Sequence, residues 1–452
     1  MDFSILFARL GMNPADFESE VVETVDVFGG FLYLAKQRVR EAVCPSCGSR
    51  NVVRNGTYKT TVKCSINRNI KELLVIERPR MLCRDPRCGT TTFTPPLSGV
   101  RKGGTIPVST VKLIAVDLRR EMSFAQIARD YGVSTMTVLR VMDDVYGGIP
   151  RFPLTEEICV DEFNFGGSKA GSGEKYPAIV VDGATGRLLD VVRSRRADTL
   201  YRYFSSIPPE ERKAVRVFNS DMYDAYRSVR RYYFKGAAHV IDPFHIVKQI
   251  TSAINIERAK AYRNADEGSM AYRFQKAHWK VFLMRESEIP QKAYHYKGPD
   301  EEYAIGFSNA MEEILEAHPH ISGMCDALQA MYKLIDGKAA KPASDELRWI
   351  VAKLRGSGSP EAAKVANTYE KWWPEITATF RMREEGAFHS NSPAEGMNNR
   401  IATLIKLSYG LADFERMRSR ALLVYGLGAR DELEDLRDET IMKILSKSTE
   451  KN

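Results

Sequence analysis

Three acids and four cysteines stand out in this 452-residue chain as residues whose type and setting can do chemistry. Asp161 lies inside the apolar run Ile158-Cys159-Val160-Asp161, where a charge is costly unless it binds something. Asp221 ends the strand-like Val215-Arg216-Val217-Phe218-Asn219-Ser220, and Asp242 follows a third such run, Ala238-His239-Val240-Ile241. Strand ends of an open α/β sheet gather at one edge, so these acids are expected side by side. A further acid must come from elsewhere. The best candidate is Glu395 in Asn391-Ser392-Pro393-Ala394-Glu395-Gly396-Met397-Asn398-Asn399-Arg400, where Asn398 and Asn399 share its helix face by i, i+3, i+4 spacing. Clustered carboxylates hold Mg²⁺ or Mn²⁺. Two such ions about 4 Å apart activate an attacking oxygen and stabilise a leaving one in phosphodiester chemistry. The set read from the residues is Asp161, Asp221 and Glu395. Asp242 is the runner-up for the second position, and His245, three residues on, is a proton or phosphate contact. Glu162 is expected to face away from Asp161, and Asp182 to serve the turn Gly183-Ala184-Thr185-Gly186.

The cysteines carry a different chemistry. Cys44-Pro-Ser-Cys47-Gly and Cys83-Arg-Asp-Pro-Arg-Cys88-Gly each put two thiols at a tight turn, and two such knuckles make a closed tetrahedral Zn²⁺ site. One structural zinc is expected, with no position open to substrate. Cys64, between the pairs, reads as a core thiol.

These residues need elements to position them. Tyr58–Lys63 and Leu73–Arg78 read as strands between the knuckles, forming a zinc ribbon whose Lys and Arg face phosphate, and VVETVDVFGGFLYLAK before them reads as a hairpin. In SFAQIARDYGVSTMTVLRVMDD, Phe124, Ile127, Ala128, Val133, Val138 and Val141 fit two short helices with Gly132 at the turn and Ser134 as cap. That is a helix-turn-helix pattern, offering Ser134, Thr135, Thr137 and Arg140 to a major groove. From 156 the pattern turns to strands and helices of an α/β unit, and from about 250 to 385 it is almost all helical. Trp279, Trp349, Trp372 and Trp373 read as core, while Lys406, Arg416, Arg418 and Arg420 either track a DNA backbone or line a solvated helix face.

Charge narrows the partner. From Lys36 to Lys102 there are 15 Lys and Arg against 4 Asp and Glu, an excess larger than the +8 of the whole chain. A folded block this basic reads as a polyanion-binding surface, with nucleic acid first. No apolar run approaches a membrane span, and the N-terminal stretch lacks a basic n-region, so a cytoplasmic protein with reduced or zinc-bound thiols is expected.

Taken in order, CPSCG, the second cysteine pair, SFAQIARDYGVSTMTVLRVM, VDEF at Asp161, SDMYDAYR at Asp221, IDPFHIVK at Asp242 and NSPAEGMNNRIATLIKLSYGLADFERMR at Glu395 resemble the DDE transposases of the ISL-three insertion-sequence family. Ser390 stands where that family usually has threonine, and Arg400 where lysine is common. The resemblance implies a multidomain α+β protein: a zinc-binding domain at 1–100, a helix-turn-helix domain at 101–150, and an RNase H-like core at 151–250 and 386–452 interrupted by a helical insertion at 251–385. It implies Asp161, Asp221 and Glu395 as the triad with two Mg²⁺ or Mn²⁺ ions, cleavage at transposon ends to free 3′-hydroxyls, and joining of those ends to target DNA. The expected partners are double-stranded DNA and a second copy of the chain on it. The rival readings are an RNase H-like nuclease, which would cut without joining, and a domesticated DNA-binding regulator, which would only bind.

Overall fold

The computed structural model describes residues 3–18, 30–64, 71–89, 92–100, 104–165, 176–299, 301–408, 411 and 413–427. The chain forms two compact units, Met1–Arg151 with Asn399–Asn452, and Phe152–Asn398.

The first unit opens with α1 (Phe3–Arg9) and a sheet of β1 (Phe17–Glu18), β2 (Gly30–Gln37), β3 (Val52–Lys63), β4 (Lys71–Cys83) and β5 (Thr92–Phe93). The strand order is β1-β2-β4-β3, with β5 also against β4. The two expected strands lie within β3 and β4, which pair antiparallel, whereas β2 runs parallel to β4. The first half of the expected hairpin, residues 21–29, lies outside the described residues, and its second half is β2. Alternation along β4 buries Leu74 and Ile76 against Val62, Tyr33 and Cys64, so Cys64 is a core thiol, pushed up to about 12 by that burial. Two of the strand cations turn inward rather than to phosphate. Arg78 donates to Gln37 Oε1 at 3.0 Å and to the Pro95 carbonyl, and Lys63 Nζ donates to the Gly132 carbonyl at 3.1 Å.

Next come α2 (Val108–Asp117), α3 (Phe124–Asp130) and α4 (Thr135–Tyr146). Ser123 caps α3 through Gln126 N, Ser134 caps α4 through Thr137 N at 3.2 Å, and Gly132 turns the chain between them at φ +61°. Phe124, Ile127, Ala128, Val138 and Val141 are buried, and Val133 is half-buried.

The second unit is built on a five-stranded mixed sheet. Its strands are β6 (Glu157–Glu162), β7 (Ala178–Asp182), β8 (Leu188–Val192), β9 (Val217–Ser220) and β10 (Ala238–Ile241), in the order β10-β9-β6-β7-β8. β6, β7 and β8 form an antiparallel meander; β9 lies parallel to β6, and β10 parallel to β9. The central strands are buried along nearly their whole length, which is why they read as continuous apolar runs. The crossovers are α5 (Ala197–Ser205) and α6 (Pro209–Ala214) before β9, and α7 (Asp224–Tyr233) before β10. They cover Ile158, Val160, Val180 and Phe218 with Leu200, Phe204, Tyr226 and Phe234.

After β10 the chain enters α8 (Pro243–Asn264) and a helical body of α9 (Met270–His278), the hairpin β11 (Ala293–Lys297) and β12 (Glu302–Gly306), α10 (Phe307–Glu316), α11 (Pro319–Ile335), α12 (Ala343–Gly356), α13 (Pro360–Lys371) and α14 (Trp373–Glu384). Its core includes Phe274, Leu328, Met331, Ile350 and Tyr369, and Thr379 of α14 accepts from Ile241 N of β10 at 2.9 Å. Of the four tryptophans Trp372 is core and Trp373 packs half-buried against it; Trp349 is 37% exposed, and Trp279 is half-buried.

The chain then forms α15 (Ser392–Leu407), within which the boundary between the units falls, and α16 (Phe414–Ala421) in the first unit. The arginines of α16 differ in their settings: Arg416 lies on a solvated face, whereas Arg418 and Arg420 turn onto backbone carbonyls. Arg416 pairs with Asp143 of α4 at 2.7 Å, Arg418 donates to the Ile149 carbonyl at 2.8 Å, and the fully buried Arg420 donates to the Arg120 and Met122 carbonyls. Among the described residues, no helix is long and apolar enough to cross a membrane.

Candidate active site

Sheet register assembles the acids. Val160 lies opposite Ser220, and Ser220 opposite Ile241, so the next residues, Asp161, Asp221 and Asp242, form a row across the carboxyl edge of β6, β9 and β10. Neighbouring strands are about 4.8 Å apart, which puts Asp221 one strand from each of the others and Asp161 two strands from Asp242. The first turn of α15 brings Glu395 to the same place.

Asp161 is only 8% exposed. Its Oδ1 accepts from Glu162 N at 2.9 Å, and its Oδ2 from Asn398 Nδ2 at 3.0 Å; the same Nδ2 donates to the Glu162 carbonyl at 3.1 Å. Burial pushes the Asp161 carboxyl up to about 7, and the charges of Glu162, Asp221 and Glu395 add to the rise against the Glu162 amide. Burial likewise pushes Asp221 up to about 7, with Glu162 adding and Arg195 opposing, and its Oδ1 is buried without a hydrogen-bond partner. Glu395 is half-buried, with Oε1 3.8 Å from Nε2 of His245. A buried and a half-buried acid, both reluctant to ionise and the second with an orphaned oxygen, form a site where negative charge outweighs positive. Hard divalent cations suit that donor set. The carboxylates stay spread: among the described residues, no three of their oxygens lie within 4.8 Å of one another.

Asp242 is also buried, but both its oxygens are engaged by backbone. Oδ1 accepts from Phe244 N and Oδ2 from Asn391 N, each at 2.7 Å. Asp182 serves its turn, accepting from Ala184 N at 3.1 Å and from the Thr185 hydroxyl at 2.5 Å. Asn399 is exposed on α15, and Lys406 is exposed further along it. Ser134, Thr135 and Arg140 are exposed at the start of α4, while Thr137 is half-buried with its hydroxyl 3.0 Å from that of Ser134.

Sequence reasoning missed Arg195. It pairs with Glu162, which also accepts from the Tyr226 hydroxyl at 3.4 Å, and its guanidinium lies about 5 Å from the rings of Tyr176 and Tyr223. Glu162 is therefore braced where its charge acts on both Asp161 and Asp221. Nothing in Ser194-Arg195-Arg196-Ala197 separates this arginine from surface charge. A second network at the start of β6 was equally hidden: Glu157 accepts from Asn219 at 2.8 Å and pairs with His389 at 2.9 Å.

In the first unit the four expected thiols converge. Cys44, Cys47, Cys83 and Cys88 bring their sulfurs within 4.8 Å of one another, with Cys44–Cys88 at 3.6 Å and Cys47–Cys83 at 3.7 Å. A tetrahedron of Zn–S bonds of about 2.3 Å needs sulfurs roughly 3.8 Å apart, so the cluster can hold one zinc ion. The pairing of Val52 with Cys83 delivers the second knuckle to the first, and Gly48, at φ +70°, closes the first by donating to the Cys44 carbonyl at 2.9 Å.

A mixed sheet with acids along its carboxyl edge, in a chain that also carries a four-thiol cluster, defines a class of protein suited to binding two kinds of metal. Residues 158–421 match the transposase family of the ISL3 type, and the chain belongs to that family. It is also similar to the transposase for insertion sequence element IS1557 of Mycobacterium tuberculosis, from strains CDC 1551 and H37Rv. With each it shares 25% identity over 264 residues, 57% of this chain and 58% of the relative. The matched stretch thus spans a little over half the length of these relatives.

Proposed function

We propose that this protein is a DNA transposase that binds the ends of an insertion sequence, cleaves them to free 3′-hydroxyls and joins those to target DNA. The observation that carries the reading is the gathering of Asp161, Asp221 and Glu395, far apart in sequence, at one sheet edge, where the charges of Asp221 and Glu395 both act on Asp161. On this reading the second unit is an RNase H-like core with the helices between α8 and α15 as its insertion. Asp161, Asp221 and Glu395 hold two Mg²⁺ or Mn²⁺ ions, which when bound activate the attacking oxygen and stabilise the leaving one. Asn398 fixes the rotamer of Asp161, and the Arg195–Glu162 pair sets the charge felt by Asp221. In the first unit, zinc-held β3 and β4 present exposed Arg54, Lys59, Arg80 and Arg84 to DNA phosphates. There α3 and α4 act as a helix-turn-helix, with Thr135 and Arg140 reaching a groove. Two copies of the chain act on paired ends.

The test is a supercoiled donor plasmid carrying the matching ends, with Mg²⁺ or Mn²⁺ and a target plasmid. Excised ends covalently joined to target are expected. Cleavage without joining would replace this reading with a nuclease, and binding without cleavage would replace it with a regulator.

A further inference from the structure

Asp242 belongs to the same row of acids, yet its surroundings differ from those of the other two. It is 4% exposed, and each carboxylate oxygen accepts a backbone N–H at 2.7 Å: Phe244 N in the first turn of α8, and Asn391 N immediately before α15. The two amides belong to segments 147 residues apart, and each leads into a helix that carries a site residue. His245 follows Phe244, Glu395 lies four residues beyond Asn391, and the two side chains meet at 3.8 Å. On the far side of Glu395, Asn398 ties α15 to β6 through Asp161 and the Glu162 carbonyl. The first two turns of α15 are thus fastened at residues 391 and 398, with Glu395 between. The charges weighing most on Asp161 are Glu162, Asp221 and Glu395, whereas Asp242 acts on the Cys159 thiol and the Arg383 guanidinium.

We infer that Asp242 is a positioning residue for Glu395: a buried strap joining the starts of α8 and α15, not itself a ligand of the ions. The inference rests on the reading of Asp161, Asp221 and Glu395 as the ion-holding acids. A carboxylate is the side chain that suits this role, because it alone at this length offers two acceptors and no donor to two converging N–H groups. Asparagine turns one acceptor into a donor facing an N–H. Serine keeps a helix cap but has one oxygen for two amides.

The experiment counts bound ions on the full-length, zinc-loaded chain by following free Mn²⁺ by electron paramagnetic resonance. It compares wild type, Asp242→Asn, Asp242→Ser and Asp221→Asn, with hydrogen exchange reporting on α8 and α15. Asp242→Asn and Asp242→Ser are expected to bind as many Mn²⁺ ions as wild type but about tenfold or more weakly, as is usual when a group orienting a ligand is lost. Exchange at the start of α15 should quicken in both, while Asp242→Ser retains protection in α8 and so stays folded. End cleavage should recover to within a few-fold at saturating Mn²⁺ in the Asp242 variants and not in Asp221→Asn. An ion lost from Asp242→Ser would make Asp242 a ligand and overturn the inference. Wild-type affinity with unchanged α15 exchange would overturn it the other way. A wild-type protein that binds no Mn²⁺ and cuts no DNA would instead bring down the reading of the site.

Discussion

The thiol cluster of the first unit and the carboxylate cluster of the second are both built from side chains of the kinds that ligate metals, but they are assembled by different means. The four sulfurs close to within 4.8 Å of one another, drawn in by two knuckles and one strand pairing. The three carboxylates come from two strand ends and a helix begun some 170 residues later, and they remain apart, two of them at about 7. Thiols are small, neutral when protonated and tolerant of contact. Carboxylates carry charge that opposes convergence until something positive arrives. One site is shaped by covalent spacing and rigid turns, the other by the fold of a whole unit.

The largest expected effect breaks the second cluster. Replacing Asp161, Asp221 or Glu395 by Ala should lower end cleavage by a factor on the order of 10³ or more, with any double variant hardly worse than a single, because the groups act as a unit. DNA binding, read by gel shift, should persist. Near-normal cleavage by Asp161→Ala and Glu395→Ala together would remove the acids from the chemistry altogether.

Breaking the first cluster should do the reverse. A zinc chelator, or Cys47→Ser with Cys83→Ser, should unfold the β3–β4 module and abolish end binding, while the second unit keeps its circular dichroism, since a closed zinc site contributes folding energy outright. Full binding by the double variant without metal would show that Val62, Leu74 and Ile76 hold the sheet unaided.

What was legible in the sequence follows the same division. Local signals carried through: CxxC spacing, the Ser123 and Ser134 caps, and apolar runs that become buried strands. The positions of Asp161, Asp221 and Glu395 were readable because each follows or interrupts an apolar segment or opens a helix. The partners of a side chain were not. Arg420 looks like its neighbours Arg416 and Arg418 in sequence, yet it is wholly buried with its guanidinium on two carbonyls, because helix phase in a packed bundle, not residue type, decides which arginine faces inward. Arg195 was missed for the same reason, and the backbone partners of Asp242 were equally hidden. Their roles lie in bonds to segments distant in sequence, which no spacing rule encodes.

The smallest expected effect, and the one that measures what it costs to bury these carboxylates, is on stability. Asp161 and Asp221 ordinarily titrate near 3.8 and stand at about 7 in the fold, so between these values the folded state binds more protons than the unfolded state. Stability must then fall as pH rises through that window, the reverse of an ion-paired carboxylate. The penalty is absent below about pH 4 and complete above about pH 7, and for one such group it reaches roughly 4 kcal/mol at most, less for the coupled pair taken per residue. Zinc-loaded protein without Mg²⁺ or Mn²⁺ should therefore resist urea better at pH 5 than at pH 8, with the buried Trp372 reporting on the second unit. Asp161→Asn should flatten that slope and raise stability at pH 8, even though its amide gives up one of the two acceptors used by Glu162 N and Asn398 Nδ2, a loss of about 1 kcal/mol. Adding Mn²⁺ at pH 8 should restore wild type by mass action and do less for the variant. If wild type were equally stable at both pH values, or if Asp161→Asn were the weaker protein at pH 8, the two acids would not be held against the cost of burying their charge, and the contrast between a thiol site closed by its turns and a carboxylate site under electrostatic strain would lose its physical basis.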